Sequence, residues 1–496
     1  MVEDDIALLK QYQKEIILLS QSVALLHWDL ECYMPKEGSE SRAEQIALLS
    51  RLVHEKMISE ELSSVLERLR KRDLQGDDGV MVERVYHDVM KSKKLPPEFV
   101  EELSRVTSLA STAWEKAREE NDFKLFEPHL KKIVKLKRKE AGYIGLPGHP
   151  YNSLLDTYEE GMTVEELKPK LENIKKWILE LLSKIKDSES YKNQELAFLK
   201  QEFPRQAQID LNIDVIKRMG LENKFSRLDL SVHPFTTRIS QGDVRFTTAI
   251  RQDPLFSFLS TIHEAGHGLY EAGLPKENKF TFLDEIPSLG INESQSRFWE
   301  IMVAHGKPFW KFYLDRFKEK IEIDNFNQWY KEVNFVKPSL IRIESDEIHY
   351  PLHIILRFEI EMGLIDGTIH VEDLPSIWNK KVEELIGITP ENNREGVLQD
   401  VHWSQGCIGY FPTYTLGSIY AVQIYKALKR RFPEIEEDIE KGDFNKIIFW
   451  LRENIHKIGR KKLTKEIIRD VCGEDLNPEE YLLYLNKKYS EIYNLT

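Results

Sequence analysis

Five consecutive residues, His263-Glu264-Ala265-Gly266-His267, have the types and the spacing of a metal site. On a helix, side chains four residues apart lie one turn above each other, so both imidazoles can reach one point. That geometry suits two positions of a tetrahedral zinc, and Glu264 stands next in line to reach a metal-bound water. The chemistry of such a site is amide hydrolysis near neutral pH. The competing reading is that both histidines are hydrogen-bonded core residues. A catalytic zinc needs a third protein ligand and one open position. A third histidine at the metzincin spacing would fall at Gly273, and Tyr270 stands where that pattern needs glycine, so that subclass is excluded. The alternative is a carboxylate from a later helix. Glu293 begins the helical run 292–304 and shares a face with Arg297 and Glu300 through their spacing. Glu293 is the best third ligand, with Glu300 as its structural competitor. One divalent ion is expected per chain. Zinc is the first choice, although histidine and carboxylate ligands also accept Co or Mn.

The motif needs a helix beneath it, and the apolar spacing of residues 255–270 supplies one. The same periodicity predicts helices over 7–30, 41–72, 77–94, 97–121, 164–186, 193–219 and 308–336, with Pro204 as a break point in the sixth. One stretch departs from it. Residues 228–250 alternate Val, Phe, Thr and Ile around Gln241-Gly242-Asp243, which predicts a β-hairpin just before the metal helix. An edge strand there could pair with an extended peptide lying in a groove.

Composition narrows the field. The 496 residues are 41% hydrophobic and 10% aromatic, enough for a large core. No linker, repeat or composition shift divides them, so residues 1–496 are expected to form a single mostly helical domain. Lys and Arg number 70 against 83 Asp and Glu, a net charge of −13, which argues against nucleic acid and anionic membranes as partners. The three cysteines form no paired motif. No apolar run of about 18 residues could span a bilayer. The acidic opening MVEDDIALLKQYQKEIILL lacks the pattern of a secretory signal, so a cytoplasmic location is expected.

The wider chain adds a resemblance. HEAGH followed by SLGINESQSR (288–297) resembles the carboxypeptidase Taq group of metallocarboxypeptidases, peptidase family M32. His233-Pro234-Phe235 matches its HPF element, and Asp243-Val244-Arg245-Phe246-Thr247 its DxRxT element. IRIESD (341–346) is similar to IRxxAD, with Ser345 in place of Ala. GVLQDVHW (396–403) matches GxxQDxHW, and SQGCIGYFPTYTLG (404–417) continues as that family does. LHWDLECYMP (26–35) and LDTYEEGMT (155–163) resemble it as well, so the likeness spans nearly the whole chain. One departure is Asn292, where the family usually carries His before the ligand glutamate.

The resemblance implies a mostly helical, two-lobed fold around a deep groove, like that of neurolysin and angiotensin-converting enzyme. The metal helix would form its floor and a small β-element one wall. It implies removal of the C-terminal residue from peptides with a free C-terminus, broad side-chain tolerance, and a homodimer. Glu264 is the candidate general base. His402, Tyr410 and Tyr414 are candidate donors to the oxyanion, loosened by Gly406 and Gly409, and the resemblance favours His402 with one tyrosine. A free carboxylate calls for an arginine. Arg342 is the favoured candidate and Arg245 the second, with an anchoring role for Arg245 as its alternative. His233 is either a substrate-side donor or a residue fixing the turn at Pro234. Two other functions remain open: an oligopeptidase or endopeptidase of the same fold, or an inactive peptide-binding protein, against which Glu264 argues.

Overall fold

Every helix predicted by periodicity forms at least in part, but three are broken where local hydrogen bonds outcompete the helical ladder. The computed structural model describes residues 2–221, 223–231 and 233–495. The expected helix 41–72 divides into Ser39–Met57 and Glu60–Arg70, because the Ser59 hydroxyl accepts the Leu62 amide at 3.3 Å and starts a new N-terminus. The expected helix 308–336 divides into Lys307–Lys318 and Phe326–Val333, the second capped by Asn325. Of the expected helix 193–219, only Arg205–Arg218 forms, starting directly after Pro204. Residues 193–203 are non-helical because the Glu332 carboxylate accepts the amides of Ala197, Phe198 and Leu199 at 2.8, 2.9 and 3.1 Å.

The β-element also differs from the expected hairpin. Among the described residues three strands form, β1 (Ser226–Leu230), β2 (Thr236–Ser240) and β3 (Asp243–Thr248), in the order β1-β3-β2. β2 and β3 are the hairpin, turning at Gln241-Gly242, with a register shift between Arg238 and Ser240. Residues 228–230 belong instead to β1, which runs parallel to β3 on its other edge. Val244 and Phe246 on β3 are fully buried and lie 3.7 and 3.6 Å from where a side chain on Gly268 would begin. The sheet therefore seats directly on the metal helix.

The helices gather into two apolar cores. The smaller joins Val2–Cys32, Glu60–Arg70 and Gly76–Lys93, with Phe282 and Leu283 inserted from the larger body. The larger core contains most of the remaining helices and the underside of the metal helix. Between them lies a cleft of about 3330 Å³, several times the roughly 300–1,000 Å³ of a small-molecule pocket. Helix Ser39–Met57, which buries none of its described residues, and helix Pro97–Glu120 both line it. This is the mostly helical, two-lobed groove expected. Among the described residues no helix is long and apolar enough to cross a membrane.

Candidate active site

The metal helix runs Pro254–Gly273. Asp253 caps it, its carboxylate accepting the Leu255 amide at 2.9 Å, a contact worth about 1 kcal/mol. Leu255, Phe258, Ile262, Ala265 and Leu269 are buried on one face. The 3.6-residue repeat then places His263, Glu264 and His267 on the other, toward the cleft, where His263 and Glu264 line the wall.

Helix Leu289–Arg297 brings the third candidate ligand, Glu293. Ser288 caps it by accepting the Ile291 amide at 3.2 Å, and buried Glu159 accepts the Gly290 amide at 3.1 Å. Burial pushes the Glu159 carboxyl up to about 7. Two glycines set how closely this helix approaches. A Cβ on Gly266 would stand 2.7 Å from both Gln295 O and Ser296 Cα, and one on Gly417, in helix Pro412–Arg431, 2.5 Å from Glu293 Cγ. The glycine inside the His-Glu-Ala-Gly-His motif is thus the contact that brings Glu293 to the histidines. Past Arg297 the expected α-helix changes. Phe298–Ala304 is a π-helix, a wider turn that begins after Arg297 and carries Glu300.

Nε2 of His263 and of His267 lie 3.8 and 3.5 Å from Glu293 Oε2, and the three ligand atoms fall within 4.8 Å of one another. Ligands about 2.0–2.1 Å from a tetrahedral ion stand about 3.3–3.4 Å apart, so small adjustments bring these to bonding distance. Two further observations fit a metal. Glu293 Oε1 is buried with no hydrogen-bond partner. Both histidines also have their outer nitrogens engaged: Nδ1 of His263 meets Glu300 Oε2 at 2.7 Å, and Nδ1 of His267 meets Asn292 Oδ1 at 3.1 Å. Each partner oxygen accepts, so a neutral imidazole carries its proton on Nδ1 and offers the Nε2 lone pair to the ion. Asn292 thus supports His267 with an amide oxygen, and Glu300 supports His263 while also accepting Arg297 at 2.9 Å. Burial opposes charge on His263, but Glu293 and Glu300 outweigh it and raise the imidazole to about 9.

Glu264 is buried beside this group, and the Thr236 hydroxyl at the start of β2 donates to its Oε2 at 2.6 Å. Across the cleft a second cluster forms around Asp400. Arg342 reaches Asp400 Oδ1 through Nε and Nη2 at 3.1 and 3.0 Å, and Arg357 reaches Oδ2 at 2.7 and 2.5 Å. Burial works against the Asp400 charge, yet Arg357, Arg342 and His402 hold its carboxyl well below the usual range. Two guanidiniums on one carboxylate leave this three-residue cluster with one net positive charge. His402 Nε2 stands 3.2 Å from the Tyr414 hydroxyl. Burial, joined by Arg342 and Arg357 against Asp400, pushes the His402 imidazole down to about 3.

His263, Glu264, Glu293, Arg342, His402 and Tyr414 therefore all line one cleft, and exposed His233 lies on its rim. His267 points to the same ligand position from one turn below His263. Tyr410 packs behind the pair, its ring 5.3 Å from His402 and 5.4 Å from Tyr414. Arg245 is not brought to this wall. It pairs with Asp243 on its own strand at 2.8 and 2.7 Å and stacks 4.2 Å over Trp28, joining β3 to the first helix rather than to the metal helix. Sequence reasoning missed Thr236, Arg357 and Tyr350, whose ring lies 4.7 Å from the Arg297 guanidinium. The signal for Arg357 was present: a charged residue inside the apolar helix Tyr350–Asp366 must be buried against a partner.

Two histidines and a glutamate converging at the floor of a helical cleft define a metallopeptidase class of site. The family model for carboxypeptidase Taq (M32) metallopeptidases matches residues 8–489, and the chain belongs to that family. Carboxypeptidase 1 of Bacillus subtilis is 38% identical, the match covering 97% of each chain. Thermostable carboxypeptidase 1 of Pyrococcus furiosus is 37% identical with the same coverage. The crystal structure of an M32 carboxypeptidase from Deinococcus radiodurans superposes with a TM-score of 0.95 at 34% identity, covering 99% of this chain and 100% of that one.

Proposed function

We propose that this metallocarboxypeptidase removes C-terminal residues from peptides of varied sequence, with zinc as its ion and Glu264 as its base. The observation that carries the reading is the meeting, in one cleft, of the metal triad and Glu264 with Arg342, part of a cluster in which two guanidiniums share the single Asp400 carboxylate. A divalent ion held by His263, His267 and Glu293 would supply Lewis acidity and make a water more acidic. Glu264 takes a proton from the attacking water and returns it to the amide nitrogen as the C–N bond breaks. Thr236 keeps that carboxylate oriented through its hydroxyl. The developing oxyanion accepts from His402 and Tyr414, and a neutral His402 donates without adding charge to the wall. Arg342 holds the substrate's free carboxylate, since Asp400 neutralises only one of the two guanidiniums it binds. Tyr410 backs the donor pair, and His233 contacts the chain leaving the cleft.

The whole chain acts as one catalytic unit, because helix Val2–Cys32, which packs in the smaller core, also brings His27, Leu30 and Glu31 to the cleft. The three free cysteines fit a reducing compartment, here the cytoplasm. A homodimer is the family expectation. The deciding experiment compares a peptide with its C-terminal amide and the enzyme with its Glu264→Gln variant. Release of the terminal residue from the free peptide alone, abolished in the variant, is expected. Equal cleavage of the amide would point to an endopeptidase, and activity retained in the variant would remove Glu264 as the base.

A further inference from the structure

Residues 399–409 carry His402 and lead to Tyr410, yet they form only turns and bends, closed by short bonds such as Cys407 N to His402 O at 2.9 Å. Turns alone do not fix where such a segment sits. Helix Tyr350–Asp366 does, through two fully buried ionisable side chains one turn apart, Arg357 and Glu361. Arg357 grips the start of the segment, reaching Asp400 and, at 2.8 Å, Gln399 Oε1. Glu361 grips both sides of its later loop. Its Oε1 accepts Trp403 Nε1 at 2.8 Å, and its Oε2 accepts the Gly409 amide at 3.0 Å and the Tyr151 hydroxyl at 2.6 Å. His402 lies between the two grips.

A buried carboxylate satisfied only by neutral donors is a poor source of stability, because apolar packing would serve as well without the desolvation cost. Its geometric consequence is sharper: Trp403 and Gly409 converge from two sides of the loop on one carboxylate that Tyr151 also holds, which specifies one loop conformation. We propose that Glu361 is a positioning residue for catalysis, setting the loop that presents His402 to Tyr414 in the cleft. The proposal rests on the role assigned to His402 above.

Glu361→Gln tests it with little change of shape, since an amide offers one accepting oxygen and one NH₂ group to three converging donors. The expected result is a fall in kcat of about 10²-fold, the scale of a 1 Å misplacement, with KM and zinc titration as in the wild type. In a His402→Ala background, Glu361→Gln should cost nothing further, whereas a merely structural role would add its full effect. Wild-type kcat per zinc-loaded molecule, or full additivity with His402→Ala, overturns the proposal. If Glu361→Gln does not fold, Trp403→Phe and Tyr151→Phe each remove one donor, and wild-type kcat in both overturns it. Wild-type kcat in His402→Ala alone would instead overturn the role of His402, and the proposal with it.

Discussion

Gly266→Ala isolates the contact that assembles the metal site. On an exposed helix this change stabilises by about 1 kcal/mol. Here the new Cβ would meet Gln295 O and Ser296 Cα at 2.7 Å, and both are backbone atoms that no rotamer change can move aside. Ordinary contact begins near 3.4 Å, so the two helices must part by about 0.7 Å. Overpacking of this kind costs about 1–3 kcal/mol, leaving a net loss of about 0–2 kcal/mol in the metal-free protein. The larger effect falls on the ion. Ligand distances tolerate about ±0.2 Å, and Glu293 is carried on the helix that moves. Zinc affinity should drop about 10–100-fold, or about 1.4–2.7 kcal/mol. Chelator competition measures the affinity, and thermal melts with and without zinc separate it from fold stability. Gly417→Ala, which presses on Glu293 from the opposite side, should act in the same direction. Gly242→Ala, with no atom within 4 Å of its Cβ, is the control. Wild-type zinc affinity in Gly266→Ala would refute the argument that this glycine sets the ligand geometry.

Three further changes probe the site. Asp400→Asn strands two buried guanidiniums and should destabilise by about 3–5 kcal/mol at neutral pH. The Asp400 pKa is depressed on folding, so its stabilisation is present above the ordinary carboxylate value of about 3.9 and fades as the pH falls below it. Urea titrations should therefore show the gap between wild type and variant closing in acid. Glu300→Ala removes the acceptor on His263 Nδ1 and should weaken metal binding about 10–100-fold, with activity recovered in excess metal. Arg342→Met should lose about 2–5 kcal/mol of transition-state binding for peptides with a free C-terminus, seen in kcat/KM. Arg245→Met, held by Asp243 and Trp28 away from the cleft wall, should keep wild-type kcat/KM and lose only stability.

Local signals were legible because their physics is local. The metal helix, its histidine pair and the separation of buried from cleft-facing residues follow from a 3.6-residue repeat. Glu293 was legible from the same repeat once the metzincin spacing failed. The broken helices were less so: Ser59 and Asn325 are good caps, but apolar periodicity continues through both. Residues 193–203 have helical spacing and lose their helix to Glu332, which is more than a hundred positions away.

By itself the sequence determined the helical class and the metallocarboxypeptidase family, and it offered a candidate ligand set: spacing along one helix pairs His263 with His267, and residue type nominates Glu293 on a later one. Tertiary structure decided which nitrogen each histidine offers, because Glu300 and Asn292 arrive from another helix. It made β1 a parallel third strand rather than a hairpin arm. It also separated two arginines that motifs treated alike. Arg342 meets Asp400 in the cleft wall, while Arg245 meets Asp243 and Trp28 outside it. A charge takes its role from what it faces, and that pairing exists only after the chain has folded.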